Sequence, residues 1–313
     1  MGRKITIIVF SLVLALFFLT LPGWGQEKEQ KPGIKTPVER METPKATKPA
    51  KSGFGIGLRL YGGWNYLDSG DLNPGISGYL DGQSYGATIH GWTYSGDYNS
   101  LHGGLNGGLD LLLHFGRHFS LVIGTEYFQA ASDSERVFTK GTEQLSLGFH
   151  PEMRALPLKL GLMASLPLGK SLNVYLQGGI GYYWTQLLYQ WDQRETPDWV
   201  NWDIDVQAGA IGYHADLGLE LKLARKLFFF LEAQGRLVEV DGYSGPMTVT
   251  GSSGSPYTVD CRLYYFKISS PVGPFEMFWP DYETPAIPGI SELREAEIDF
   301  SGVSARAGIR IRF

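Results

Sequence analysis

The 313-residue sequence holds a single cysteine, Cys261. One thiol supplies neither an internal disulfide nor a multi-cysteine metal site, and Cys261 reads as a lone loop thiol. After residue 25 no apolar run is long enough to cross a bilayer as a helix. Positive charge is also scarce: the formal net charge is -5, and two units more negative once Arg3 and Lys4 leave with the leader described below, which excludes a nucleic-acid partner. Neither a carboxylate and His set of the protease kind nor a cluster with metal-ligand spacing stands out. No catalytic residue, metal or cofactor is therefore assigned.

What the chain does have is 41 glycines, 13% aromatic and 43% hydrophobic residues, at a mean hydropathy of only -0.11. A soluble body fits these values. So does a membrane barrel, in which lipid-facing and lumen-facing residues alternate and the mean cancels. At the N-terminus, Gly2-Arg3-Lys4 precedes an apolar run from Ile5 to Leu21, then Pro22 and Gly23-Trp24-Gly25. This is the pattern of a secretory signal peptide over residues 1–25, cleaved near Gly25; the run is short for a spanning helix, and no Cys follows it to direct lipoprotein processing. Residues 26–52 are rich in Lys, Glu, Pro and Thr and poor in large apolar side chains. Such a segment cannot bury enough surface to offset its ordering entropy, and it reads as a disordered periplasmic linker. Such a charge run reads as merely solvated; contact of its Lys and Pro residues with peptidoglycan or an anionic partner is the alternative.

From residue 53 onward the recurring unit is strand, tight turn, strand. Gly104 to Phe115 turns into Phe119 to Phe128, Leu156 to Leu166 into Leu172 to Trp184, and Ile211 to Leu221 into Leu227 to Val238. Period-two alternation runs through each: Leu105, Leu109, Leu111, Leu113 and Phe115 oppose Asn106, Asp110 and His114. Phe54 to Trp64 adds a strand at the front. Ser301 to Phe313 adds one at the back, with Val303, Ala305, Ala307, Ile309, Ile311 and Phe313 on one face and Ser304, Arg306, Gly308, Arg310 and Arg312 on the other.

Eight strands of about ten to fourteen residues suffice for tilted crossings. Short turns then mark the periplasm, and long connections face outward: Leu67 to Gly103, Gln129 to Met153, Gln186 to Ala210 and Glu239 to Ile298. Aromatic residues gather at both ends, with Trp64, Tyr66, Tyr127, Phe128, Tyr182, Tyr183 and Trp184 at one and Phe115, Phe119, Phe228 and Phe313 at the other. Two belts suit two membrane interfaces. A soluble lipocalin-type barrel would instead put its apolar face inside.

Three segments, Ala215-Asp216-Leu217-Gly218-Leu219-Glu220-Leu221, Gly178-Gly179-Ile180-Gly181-Tyr182-Tyr183-Trp184 and Gly308-Ile309-Arg310-Ile311-Arg312-Phe313, give residues 53–313 a pattern that resembles the small bacterial outer-membrane β-barrel family, the OmpA-, OmpX- and OmpW-like group. The resemblance implies an all-β fold, an eight-stranded antiparallel transmembrane up-and-down barrel with long extracellular loops. It also implies the bacterial outer membrane as location, with lipid and lipopolysaccharide as surroundings. Ile309, Ile311 and Phe313 match the C-terminal signature read by the barrel-assembly machinery during biogenesis. The group includes anchors, adhesins, small-solute channels and a few lipid-modifying enzymes, so membership does not select a role. His118-Phe119-Ser120 is similar to the His-x-Ser element of lipid A deacylases, but it falls in a periplasmic turn and Leu121 stands where Asn is expected.

Inside such a barrel the polar face would carry Arg59, Lys159, Arg236, Arg306, Arg310 and Arg312 against Asp110, Glu126, Asp216, Glu220 and Glu232. Eight strands leave room only for side chains, so these groups read as an ionic plug; a narrow path for ions or small solutes is the alternative. His214, Asp216 and Glu220 share a face, which allows either a proton relay or a satisfied polar network. The outer connections are unusually aromatic. Trp92, Trp191, Trp199, Trp202 and Trp279 either stack on a ligand or pack an extension of the barrel beyond the lipid. Met247 to Thr250 and Tyr257 to Phe266 flank Gly251-Ser252-Ser253-Gly254 as a hairpin. Ten strands are an alternative to eight, but a hairpin outside the membrane is expected, with Pro271, Pro274, Pro280, Pro285 and Pro288 marking irregular loop.

Overall fold

The computed structural model describes residues 54–116 and 118–313. The expected leader and linker, and Gly53, lie outside the described residues.

In chain order the elements are β1 (Gly55–Leu67), α1 (Leu72–Ile89), β2 (Thr93–Ser95), β3 (Gly103–Phe115), β4 (Phe119–Ala131), β5 (Ser134–Lys140), β6 (Glu143–Pro167), β7 (Leu172–Glu195) and β8 (Asp198–Lys222). There follow β9 (Leu227–Leu237), β10 (Glu239–Val240), β11 (Ser244–Gly251), β12 (Tyr257–Ile268), β13 (Phe275–Asp281), β14 (Ile290–Glu295), β15 (Ile298–Asp299) and β16 (Gly302–Arg312).

Eight of these strands close a ring. β1 pairs antiparallel with β3 and β16, the chain of pairings continues through β4, β6, β7, β8 and β9, and β9 returns to β16. Closure leaves no free edge, so every ladder amide in the ring has a neighbouring strand to bond. The fold is therefore an eight-stranded antiparallel β-barrel. The hairpin of β11 and β12 does not enlarge it, because β11 pairs with β8 only along Val200 to Gln207, above the stretch from Tyr213 to Lys222 where β9 occupies that edge.

β6, β7 and β8 depart from the expected lengths: they run to 25, 24 and 25 residues, about twice what a tilted crossing needs. Gln129 to Met153 and Gln186 to Ala210, expected as outer connections, are mostly strand. The reason lies in a polarity inversion with the alternation kept. Below it, Leu156, Leu158, Leu160, Leu162, Ile180 and Ile211 are exposed and Lys159 and His214 are buried. Above it, Phe149, Met153, Leu187, Trp191, Ile204 and Val206 are buried, while Gln190, Asp203 and Arg194 face out or lie half-buried. The pattern thus ceases to look like a barrel strand at the level of Ala155 and Tyr183, yet the backbone continues straight on.

On this extension β5 adds to β6, β2 to β5, β11 to β8, and β12 carries β13 and β14. They enclose one apolar core over the long-connection end of the barrel, into which Leu72, Ile76 and Leu80 of α1 insert. Cys261, expected in a loop, is a buried residue of β12 in this core, and burial pushes its thiol up to about 11. Pro280, expected in irregular loop, lies in β13 opposite Leu263. It is tolerated because β13 pairs with β12 alone and is an edge.

α1 was not legible as a helix. Glycine at positions 75, 78, 82 and 86 lowers its intrinsic propensity. The same residues allow it to form here: a Cβ on Gly78 would meet the Glu276 carbonyl at 2.2 Å, and one on Gly75 would meet Phe278 at 2.4 Å. The helix therefore lies directly against the β13 backbone. Tertiary contact supplies what propensity lacks.

The aromatic belts are also thinner than expected. Phe128, Tyr183 and Phe228 are buried inside, whereas Trp64, Tyr66, Tyr127, Tyr182, Trp184, Phe115, Phe119 and Phe313 face out. Adjacent residues of a strand point to opposite faces, so of each pair such as Tyr182 and Tyr183 only one can lie in a belt.

Candidate functional site

The polar face of the barrel strands meets inside the ring. Arg59, Asp110, Glu126, Lys159, His214, Asp216, Glu220, Glu232, Arg236, Arg306 and Arg310 are all buried. Arg312 is not; it is exposed at the short-turn rim, one inward step beyond Arg310 on β16.

Arg306 is the hub. Its Nη1 lies 3.2 Å from Glu126 and 3.5 Å from Glu232, and its Nη2 lies 3.1 Å from Asp216. Glu126 also pairs with Lys159 at 2.7 Å and Arg236 at 3.2 Å. Glu232 accepts from Arg59 at 2.5 Å and from the Tyr175 hydroxyl at 2.9 Å. Arg59 reaches Gln177 at 3.2 Å, lies 3.7 Å from Asp110, and has its guanidinium carbon 4.1 Å from the centroid of the Phe230 ring. Nearer the short-turn end, Arg310 pairs with Glu220 at 2.6 Å and lies over Phe228 at 4.5 Å. Five cations thus face five carboxylates. Buried charges persist only when paired and hydrogen-bonded in this way.

Several partners in this network carry no formal charge, and sequence reading passed over them: Tyr175, Gln177, Asn173, and Gln234, which donates to Asp216 at 2.6 Å. Tyr61 donates toward Asp110 and Glu126 at 3.3 Å and accepts from Lys159 at 2.9 Å. Their signal was their parity, since Tyr61 lies two residues from Arg59, and Tyr175 and Gln177 share the inward face of β7.

The proton relay, the alternative to a satisfied network, does not assemble. His214 Nε2 is 4.0 Å from Asp216, too far for a hydrogen bond, and both ring nitrogens lack a partner among the described residues; Glu220 is held by Arg310 instead. His118 sits exposed in its turn, with Nδ1 3.1 Å from the Ser165 carbonyl. Ser120 is instead paired with His114, at 2.6 Å across β3 and β4.

At the other end the tryptophans divide. Trp191 is buried and stacks on Trp202 with centroids 4.3 Å apart and planes at 17°. Trp279 meets Trp191 edge-on at 5.2 Å, Tyr79 of α1 does so at the same distance, and Trp92 packs against this core. Trp199 alone of the five is well exposed, at 44%. It borders a surface groove of about 610 Å³ with Asp192, Arg194 and Asn201. Among the described residues, no group of three or more His, Cys, Asp or Glu side chains is placed to hold a metal ion.

No family model matches the sequence, and no curated protein does. Solved structures are similar to it, among them the following two. The outer membrane protein OprG from Pseudomonas aeruginosa is 13% identical, covering 83% of this chain and 96% of that one, with a TM-score of 0.33. Ail, the attachment invasion locus protein of Yersinia pestis, in complex with the heparin analogue sucrose octasulfate, is 8% identical, covering 83% and 97%, with a TM-score of 0.30. These values are too low to carry a function from either protein to this chain.

Proposed function

We propose that the chain is an integral protein of the bacterial outer membrane, with a structural or surface-interaction role, a plugged lumen and no catalysis. The membrane reading is supported by the ring's apolar outer face, since Leu105, Leu158, Leu160, Leu162, Ile180 and Ile211 on a soluble barrel would present a large apolar patch to water. Lipid accepts that face, and closure of the sheet satisfies the backbone within it. On this reading the outer interface would lie where the polarity inverts, above Tyr182 and Trp184, with lipopolysaccharide around the extension. The barrel-assembly machinery would act on Ile309, Ile311 and Phe313 during biogenesis, and the linker would reach peptidoglycan.

The observation that carries the plug is the balance of five cations and five carboxylates beneath an apolar cap built on α1. An ion entering would have to displace internal pairs while shedding water, at both levels. A narrow path for ions or small solutes is the second reading. It has one observation behind it: Asn65, Asn106, Tyr183, His214 and Asp216 keep buried polar atoms without protein partners near the top of the network, as a hydrated thread would require.

Reconstitution of the full chain into a planar bilayer separates the two, with insertion checked by a heat-dependent shift on electrophoresis. A folded barrel without unitary openings is expected. Stable, salt-dependent openings would overturn the plug and favour the path.

A further inference from the structure

At the short-turn end, the turns after β3 and β6, the end of β8, the start of β9 and the last residues of β16 surround a cavity of about 300 Å³. Its wall holds Arg310 and His114, both buried, and its rim holds Arg312, Lys170 and Lys222, all exposed. Among the described residues that line it, Glu220 is the one carboxylate, and that group is already held by Arg310 at 2.6 Å and Asn173 at 3.1 Å. Among the described residues Arg312, Lys170 and Lys222 have no carboxylate at ion-pair distance, so the space carries an excess of positive charge.

Among the described residues, two buried polar atoms there lack a partner: Arg310 Nε and His114 Nε2. An unsatisfied buried donor is costly, and the guanidinium keeps donors beyond the one spent on Glu220. The other ring nitrogen of His114 is engaged by the Ser120 hydroxyl at 2.6 Å. Gly57 leaves the space before Nε2 open, since even a single Cβ there would stand 3.0 Å from that nitrogen. A small group with several acceptor oxygens and negative charge answers both features. Planar guanidinium and flexible ammonium groups converging on one space suit a phosphate.

We propose that this cavity binds a phosphate group, as a free phosphate ester or as the headgroup of a phospholipid in the adjoining leaflet. Arg310 and His114 line the floor of the site, and Arg312, Lys222 and Lys170 close over the charge. The free-ester form stands without the membrane reading; only the lipid source rests on it.

The test is isothermal titration of the refolded full chain, in a phosphate-free maltoside detergent, with glycerol 3-phosphate at constant ionic strength. Saturable binding is expected. The double variant R312Q/K222Q, which removes two exposed side chains and breaks no buried pair, should weaken it at least tenfold, with folding verified by the heat-dependent shift. R225Q, on the β8 to β9 turn outside the cavity, should leave affinity unchanged. Absence of saturable binding to the wild type, equal affinity in the double variant, or an equal loss in R225Q would each overturn the site. Competition by phosphatidylglycerol bicelles assigns the lipid source; binding unaffected by them assigns the free ester. A barrel that fails to enter bilayers would defeat the membrane reading while leaving the detergent titration intact.

Discussion

Arg306 and Glu126 meet 3.2 Å apart inside the barrel although 180 positions separate them in the chain. Arg306 lies on β16 and Glu126 on β4, and β1 and β3 stand between those strands around the wall. Their contact therefore crosses the interior and exists only because the sheet closes. Each is almost wholly removed from solvent, at 1% and 0% side-chain exposure, so neither charge has water as a fallback.

Replacing Arg306 with Met is expected to destabilise the barrel by about 3–5 kcal/mol, because Glu126, Asp216 and Glu232 lose their shared cation. Equilibrium urea unfolding in detergent reads this directly. Arg306→Lys should recover part of the loss by restoring the charge without the fork. A Met variant within ~0.5 kcal/mol of wild type, the usual range for surface changes, would mean that these pairs do not hold the lumen.

Trp191 and Trp199 should behave oppositely. Trp191→Ala removes the centre of a stacked cluster and should cost about 3–5 kcal/mol, through lost burial and the cavity left behind. Trp199→Ala, at an exposed site, should stay within about 0.5 kcal/mol. The same unfolding titration compares them. Equal losses would show that the tip of the β7 and β8 hairpin is part of the packed cap.

The helix of the cap is tied at its start by Asp71, which accepts from Arg294 at 2.5 and 2.7 Å and from the Glu297 backbone amide at 2.8 Å. Arg294 also lies over the Tyr265 ring at 4.6 Å. Asp71→Asn should weaken this anchor by about 1 kcal/mol, a value limited by the half-exposed guanidinium. Hydrogen exchange should then quicken in α1 while β3, β4 and β6 stay protected. Uniform quickening throughout would mean that α1 unfolds only with the barrel.

How much was legible depended on whether the pattern had one period and one polarity. β1, β3, β4, β9 and β16 keep one face apolar and carry their charged residues on the other, and sequence reading located them and the inward set from Arg59 to Arg310. The upper halves of β6, β7 and β8 keep the period but exchange the faces, so Trp191 and Trp202 looked like loop aromatics although Trp191 lies in a core and Trp202 packs against it. α1 has neither a strong amphipathic stripe nor good propensity, and its four glycines argued against it. Cys261 and Pro280 were misplaced because their strands, β12 and β13, pair only with near neighbours in the extension, and it is the core beneath them, assembled from segments throughout the chain, that makes this stretch packed structure rather than loop.

The sequence by itself determined the closed antiparallel barrel and which side chains face inward, because side-chain direction in a strand is a local property with a period of two. The tertiary structure decided which charge meets which, how far the sheet continues beyond the apolar band, and what covers its mouth. Those outcomes depend on the curvature that closes the ring and on contacts between segments more than two hundred residues apart, and a local period carries no information about either.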